Sequence, residues 1–375
     1  VGFLVITRNQ LVQEKYNERL NNIKKTNDVL TADRNSFMDG SLDLYKQLYH
    51  AEPECREFAR QGGHLVYKNG WVNCKDADGN FFYLRDFIPE IKGHYASTQY
   101  GTRRNRILPD CKESFADNVK FHLGKPMFDL PLYGLNEVSI EESTHNVKIS
   151  VNLGTYFDFY NTCEYLGFES AYARRILGKK QYNKRTMPRR FRQLELFDTA
   201  NRFPGIGINT ITIIKNMIDD DDESCVKRTF FLSHKRSNKV AEGMGNYHVV
   251  PAGSYQPLKE YIDRADTDSD HYAETMKNTV LREFGEELLD YEEFLDLNTS
   301  ELLQTLDELL QPLFLGVGFE PLNTKTEVLA ALIIDLDSPE QCKLFRNRTK
   351  KSEFLTFFGE NRNYEGDIFL HPLTC

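Results

Sequence analysis

Apolar positions recur with two different periods along this chain, and the change of period marks its organisation. From residue 8 to about 60, long polar side chains separate apolar positions at helical spacing, among them Leu11, Val12, Tyr16, Leu20 and Ile23, and this predicts mostly helix. Gly62 and Gly63 then break the pattern. "HLVYKNGWVNC" and "NFFYLRDF" read as strands around "KDADG", where Asp and Gly supply the turn chemistry. "NEVSIEES" against "NVKISVNLGTYFDFY" alternates apolar and polar residues and predicts a second hairpin. Further on, "IGINTITIIKNMI" and "VKRTFFLSHKRS" predict strands joined by the acidic turn "DDDDES". "GNYHVVPAGSYQP" reads as a strand ending in a Pro/Gly loop, "AETMKNTVLREFGEELLD" as an amphipathic helix, and "PLFLGVGFE" and "EVLAALIIDL" as apolar strands.

That order predicts an α/β unit over 203–375, with the helix of residues 274–290 on a mixed sheet. Residues 1–45 are expected to be an N-terminal helical segment, and 46–200 an α+β domain ending in a basic run. The fold class expected for the whole chain is α+β. No internal repeat is found.

At 375 residues the chain is long enough for two cores. Apolar residues make up 40 % and aromatics 12 %, which excludes a disordered tail. The formal charge of −9 argues against a general nucleic-acid coat, which needs a basic surface to displace counterions. Against this acidic background, "RRILGKKQYNKRTMPRRFR" (174–192) holds nine Lys or Arg residues and no acid. A solvated linker is the plainer reading. The functional one is a cationic wall for phosphate, with Arg189, Arg190 and Arg192 binding the ligand through guanidinium forks and Tyr182 and Phe191 stacking a base. The acids Asp219 to Glu223 read as a solvated hairpin tip ahead of a metal site.

The seven cysteines are scattered and never spaced as CxxC, and the nine histidines show no HxxxH. The cysteine pattern fits a reducing compartment, and the two patterns together argue against a zinc enzyme. No run reaches the roughly 18 to 20 apolar residues that span a bilayer. "VGFLVI", leading into "TRNQLVQEKYNERLNNIKK", reads either as a frayed terminus or as the trailing edge of a membrane or signal segment. The expected location is therefore the cytoplasm, or the cytoplasmic face of a membrane if a spanning segment precedes Val1.

Glu283, Glu286, Glu287 and Asp290 fall within about 100° of helical arc, beside the arc of Val280, Leu281, Phe284 and Leu288. One side of this helix packs and the adjoining edge concentrates carboxylate. Like charges at such spacing repel by a few tenths of a kcal/mol per pair. A bound Mg²⁺, which favours oxygen ligands and substrate phosphates, would offset that repulsion.

The run from Glu274 through seven residues to Arg282, Glu283, Phe284, Glu286 and Glu287 resembles the box of the Nudix superfamily, G-x5-E-x7-R-E-U-x-E-E-x-G-U with U bulky and apolar. Asp268 stands where the box has its first Gly. The better counterpart is Gly253 of "VVPAGSYQP", with twenty residues before Glu274, and Leu289 and Asp290 replace the final Gly-U. The resemblance implies Glu283, Glu286 and Glu287 as metal ligands, with Gly253 letting the backbone approach the metal. It also implies that Arg282 orients a catalytic carboxylate and that Glu274 braces it. Glu320 and Glu327 are the candidate bases outside the box. The implied cofactor is Mg²⁺, with Mn²⁺ as the alternative.

Two functions follow from the resemblance. One is Mg²⁺-dependent hydrolysis of a nucleoside-diphosphate-linked substrate by water attack on phosphorus. The other is a non-hydrolytic receptor for a cyclic oligonucleotide messenger, since the long N-terminal region and the elaborated loop are similar to Nudix-type sensors of bacterial anti-phage signalling. A nucleotide is the expected partner in both, with a homo-oligomer as the expected assembly.

Overall fold

In the computed structural model of the protein, which describes residues 2–49, 55–59, 64–68, 71–95, 114–123, 127–141, 146–175, 187–192, 196–221, 224–236, 247–257, 274–289, 301–360 and 366–373, most period-two stretches are strands. Helices α1 (Gly2–Ala32) and α2 (Arg34–Tyr49) come first, then strands β1 (Cys55–Ala59), β2 (His64–Lys68) and β3 (Glu90–His94). Helix α3 (Phe115–Leu123) precedes the hairpin of β4 (Pro131–Ile140) and β5 (Val147–Thr155). A helical stretch follows, made of α4 (Tyr156–Phe159), a π-helical turn at Tyr160–Glu164 and α5 (Tyr165–Arg175). Strands β6 (Ile206–Ile218), β7 (Lys227–Arg236), β8 (Tyr247–Val249) and β9 (Ala252–Ser254) lead to α6 (Met276–Leu289) and α7 (Glu301–Leu309). Strands β10 (Leu313–Phe319) and β11 (Thr326–Asp335), helices α8 (Pro339–Leu344) and α9 (Lys351–Glu360) and strand β12 (Gly366–Pro372) complete the order.

The larger sheet runs β1-β2-β10-β11-β6-β7-β12, with β8 beside β7 and β9 beside β6. β11 lies parallel to β6 in continuous register from Thr326–Ile206 to Asp335–Lys215, while the other pairs are antiparallel, so the sheet is mixed. Alternation along β6 and β11 puts Ile208, Ile214, Val328, Leu332 and Ile334 on one face, where they are buried with Val280, Leu281, Phe284 and Leu288 of α6. Helices α7 and α9 close the same core through Leu306, Phe354 and Phe357. The opposite face is less covered, and Ile333 there is 44 % exposed. A smaller sheet, β3-β5-β4, shares its core with the first through Tyr133, Val151, Ile208 and Val328. The chain is thus α+β with mixed sheets.

Two departures from the sequence pattern have tertiary causes. Residues 55–59, inside the stretch expected to be mostly helix, are extended because they pair with β2, which in turn pairs with β10 at Val66–Phe319. "NFFYLRDF" holds only isolated bridges and a short 3-10 turn at Leu84–Asp86, its backbone being taken up by Pro312 and Leu313 of the β10 edge. Hydrogen bonds also join Tyr133 to Tyr255 and Leu135 to Pro204, so pairing and packing cross the boundary expected at 200–203. No helix among the described residues is long and apolar enough to cross a membrane.

Candidate functional site

The loop between β8 and β9 is held at the edge of β6 by its backbone. Thr210 N donates to Pro251 O (2.9 Å), the Thr212 hydroxyl donates to Val250 O (2.7 Å), and Ile208 and Asn209 pair with Gly253 and Ala252. That places the loop beneath α6. A Cβ at position 253 would lie 2.0 Å from Oε1 of Glu283 and 2.1 Å from its Cδ, so only glycine lets the helix carboxylate sit there. One turn further along α6, Oε2 of the buried Glu287 accepts Ala252 N–H (2.9 Å), and its Oε1 stands 3.8 Å from Nδ1 of His234.

Arg282 gathers the rest of the cluster. Its guanidinium reaches Glu283 Oε1 (3.2 Å), Glu286 Oε1 (3.9 Å) and Ser254 O (3.4 Å). Burial works against its charge, but Glu283, Glu286 and Glu274 outweigh that and hold its pKa above the ordinary value. Glu274 is itself buried, and its backbone carbonyl accepts the Tyr255 hydroxyl. The carboxylates of Glu283 and Glu286 are 16 % and 19 % exposed. Among the described residues no three His, Cys, Asp or Glu side chains converge as a metal-binding group. Glu283 and Glu286, beside the cradle at Gly253, offer oxygen donors of the kind a hard divalent cation takes.

The remaining sequence candidates lie elsewhere. Glu327 pairs in register with Gly207, accepts from the Asn209 amide and is 3.3 Å from Lys325 Nζ. Strand alternation puts it on the face turned away from Val328 and α6. Glu320 sits in the loop after β10 and is 3.1 Å from Arg34, which also reaches Glu164 (3.4 Å). It belongs to the contact with the N-terminal helices.

Arg189 and Arg190 do not form an open cationic wall. Arg190 is wholly buried, and its guanidinium donates to the carbonyls of Pro321 (3.0 Å) and Leu322. Arg189 donates to Asn161 O (2.9 Å) and lies 4.1 Å over the Tyr165 ring. Their backbone N–H groups both bond to Glu169, whose carboxyl burial pushes up in pKa, against those two hydrogen bonds. The Arg190 guanidinium thus ties the segment that Glu169 of α5 holds to the β10–β11 loop, while Arg189 packs on the helical stretch at Asn161 and Tyr165. Arg192 ends a 3-10 turn, its side chain lies outside the described residues, and so does the run 176–186 with Tyr182; Phe191 is partly buried.

Two further features escaped the sequence reading. His234 occupies the third inward position of β7 after Phe230 and Leu232, a place that strand alternation alone could have flagged. The acidic turn caps a helix: Asp220 accepts Ser352 N–H (3.0 Å) at the start of α9, and Asp221 and Asp219 pair with Lys351 (2.5 and 3.8 Å). No protein-family model matches the chain, and no curated protein matches it in sequence.

Proposed function

We propose that the protein is a Nudix-type hydrolase that uses Mg²⁺, or Mn²⁺ in its place, to cleave a nucleoside-diphosphate-linked substrate. The observation that carries this reading is the seating of Glu283 on Gly253, where a helix carboxylate and a Pro-Ala-Gly loop meet with no room for a side chain. Glu283 and Glu286 would hold the cation, with Glu287 behind them. When bound, the ion supplies neutralisation of charge on the pyrophosphate and a more acidic water. Arg282 orients Glu283 and Glu286 through its ion pairs, and Glu274 steadies Arg282 electrostatically. Glu287 fixes the loop through Ala252 N. Glu320 is occupied by Arg34, and Glu327 lies across the sheet, so no proton transfer is assigned to either.

One observation favours the second reading, a cyclic-oligonucleotide receptor of anti-phage signalling. The loop between β10 and β11 is gripped by N-terminal residues: Arg34 holds Glu320, Glu164 accepts from Asn323, Arg190 holds two carbonyls, and Leu322 is buried among Phe115, Phe168 and their neighbours. Such a connection suits transmission of a binding event to α1 and α2, and to a membrane if one is attached upstream.

Turnover and thermal shift, measured with Mg²⁺ and a panel of nucleoside-diphosphate derivatives and cyclic oligonucleotides, separate the two. Cleavage by wild type that Glu286→Gln abolishes supports the hydrolase. A raised melting temperature without turnover supports the receptor, because a ligand stabilises the fold it binds by mass action. Neither response to any nucleotide would sink both.

A further inference from the structure

Glu287 bonds to the backbone of the β9 loop at Ala252 N, and it does so from a buried site that the sheet closes from below. That floor is His234. It is 1 % exposed, pairs in register with His248 of β8 and Ile368 of β12, and follows Phe230 and Leu232 along the face covered by α6. Placing an imidazole there costs desolvation that a leucine in the same row would not incur. Its Nδ1 stands 3.8 Å from Glu287 Oε1, longer than a hydrogen bond but within reach of polar attraction. The other carboxylate oxygen accepts Ala252 N–H at 2.9 Å. The imidazole therefore bounds the carboxylate on the side away from the loop.

We propose that His234 is a positioning residue: it holds Glu287 in the orientation that clamps Ala252, and so keeps Gly253 seated under Glu283. The inference rests on the hydrolase reading for its consequence in catalysis, but the clamp itself has a separate readout. Three elements meet at one side chain, with α6 providing the carboxylate, β7 the imidazole and β9 the amide. If the imidazole is lost, the Glu287 carboxylate loses its neighbour on that side and its hold on the Ala252 amide weakens. The loop can then shift by the few tenths of an ångström that decide whether Glu283 fits against residue 253. The carboxylate beside His234 is that of Glu287. The effect of the histidine passes through it.

The test uses the full chain with His234→Leu, His234→Asn, Glu287→Ala and the double variant His234→Leu/Glu287→Ala. Asparagine places an amide nitrogen near the position of Nδ1. Hydrogen exchange at Ala252 without metal reads the clamp, and Mg²⁺ titration with kcat and KM at saturating Mg²⁺ reads the site. We expect His234→Leu to speed Ala252 exchange by about tenfold or more relative to amides in the middle of β6, the scale of one lost buried hydrogen bond. Mg²⁺ affinity should fall by a similar factor, and His234→Asn should restore both. The double variant should exchange no faster at Ala252 than Glu287→Ala alone, because the two residues act on one bond.

Unchanged Ala252 exchange in His234→Leu overturns the proposal. So does a uniform rise across β6, β7 and β9, which would make the histidine a packing residue only, and so does additivity in the double variant. Should His234→Leu fail to fold, His234→Asn decides: retained protection at Ala252 supports the clamp, and lost protection overturns it. A wild type that neither binds Mg²⁺ nor turns over nucleotides removes the hydrolase reading, while the exchange result still decides the clamp.

Discussion

Glu283 and Gly253 occupy a space with room for only one side chain: a methyl group at 253 would come within 2.0 Å of the carboxylate oxygen. Gly253→Ala should therefore displace either the helix carboxylate or the strand. The atoms in the way belong to the Glu283 side chain, which can swing aside, so the metal-free fold should lose less than the roughly 1–3 kcal/mol of overpacking in a closed core. Metal-free thermal melting should show at most a small loss, and Mg²⁺ titration should show the larger effect. A Gly253→Ala protein with wild-type melting and wild-type Mg²⁺ affinity would mean that Glu283 is not seated on this loop.

The adjacent glutamates Glu286 and Glu287 should respond differently to neutralisation. From the sequence alone, replacing both by Gln is expected to leave the metal-free fold no less stable, since repulsion is relieved. The structure separates them, because Glu286 is on the partly exposed edge and Glu287 is buried against Ala252 N. Glu286→Gln should change unfolding free energy by no more than about 0.5 kcal/mol. Glu287→Ala strands a buried N–H and should cost about 1–3 kcal/mol. Denaturant melts of the two single variants, without metal, check the difference.

Arg190 predicts a large structural effect. Arg190→Met removes the donor to the carbonyls of Pro321 and Leu322 while keeping most of the buried volume. The loss should be roughly 2–5 kcal/mol, the scale for orphaned buried polar partners. Unfolding measured by circular dichroism would report it. A melting temperature within a degree of wild type would instead mean that those carbonyls find other donors.

How far the sequence discloses this arrangement depends on which signals are local. Ile206–Ile218, Thr326–Asp335 and Met276–Leu289 carry their periodicity in their own residues, so these elements were legible. Gly253 and Glu283 stood out separately in the sequence, but their meeting depends on the pairing of β9 with β6 and was not legible. Nor was the burial of Arg190. A run of nine basic residues reads as solvated, and the acceptors that draw Arg190 inward, Pro321 and Leu322, belong to a loop far along the chain. His234 was missed for a related reason: its partner Glu287 is on another element, and no motif links them. The direction in which Glu320 points was likewise set by Arg34, at the other end of the sequence.

The cap on α9 gives a pH dependence of known sign. Hydrogen bonds from Ser352 hold the Asp220 carboxyl below its ordinary value of 3.8. A depressed carboxyl contributes stability in full above the unfolded value, and that contribution is lost as pH falls through the folded one. The carboxylate is exposed and screened by solvent, and an amide oxygen can still accept the Ser352 N–H, so Asp220→Asn should cost only about 0.5 kcal/mol or less at neutral pH. The gap between variant and wild type should narrow as pH drops below about 4. Melting temperatures measured from pH 7 to pH 3 test this; a gap that widens toward acid would contradict the assignment.

The order of strands in the larger sheet constrains how the chain can assemble. β2 pairs locally with β1 but finds its second neighbour only when Phe319 pairs with Val66, and β6 waits for β11 before its parallel ladder can close. Pairings so distant in sequence must close long loops before any contact rewards them, which slows folding relative to helical proteins of similar size. During synthesis, β6 emerges with one edge open until β11 arrives, and that exposed edge is a template for misassociation. A chain released before residue 335 should therefore aggregate rather than form a smaller working domain.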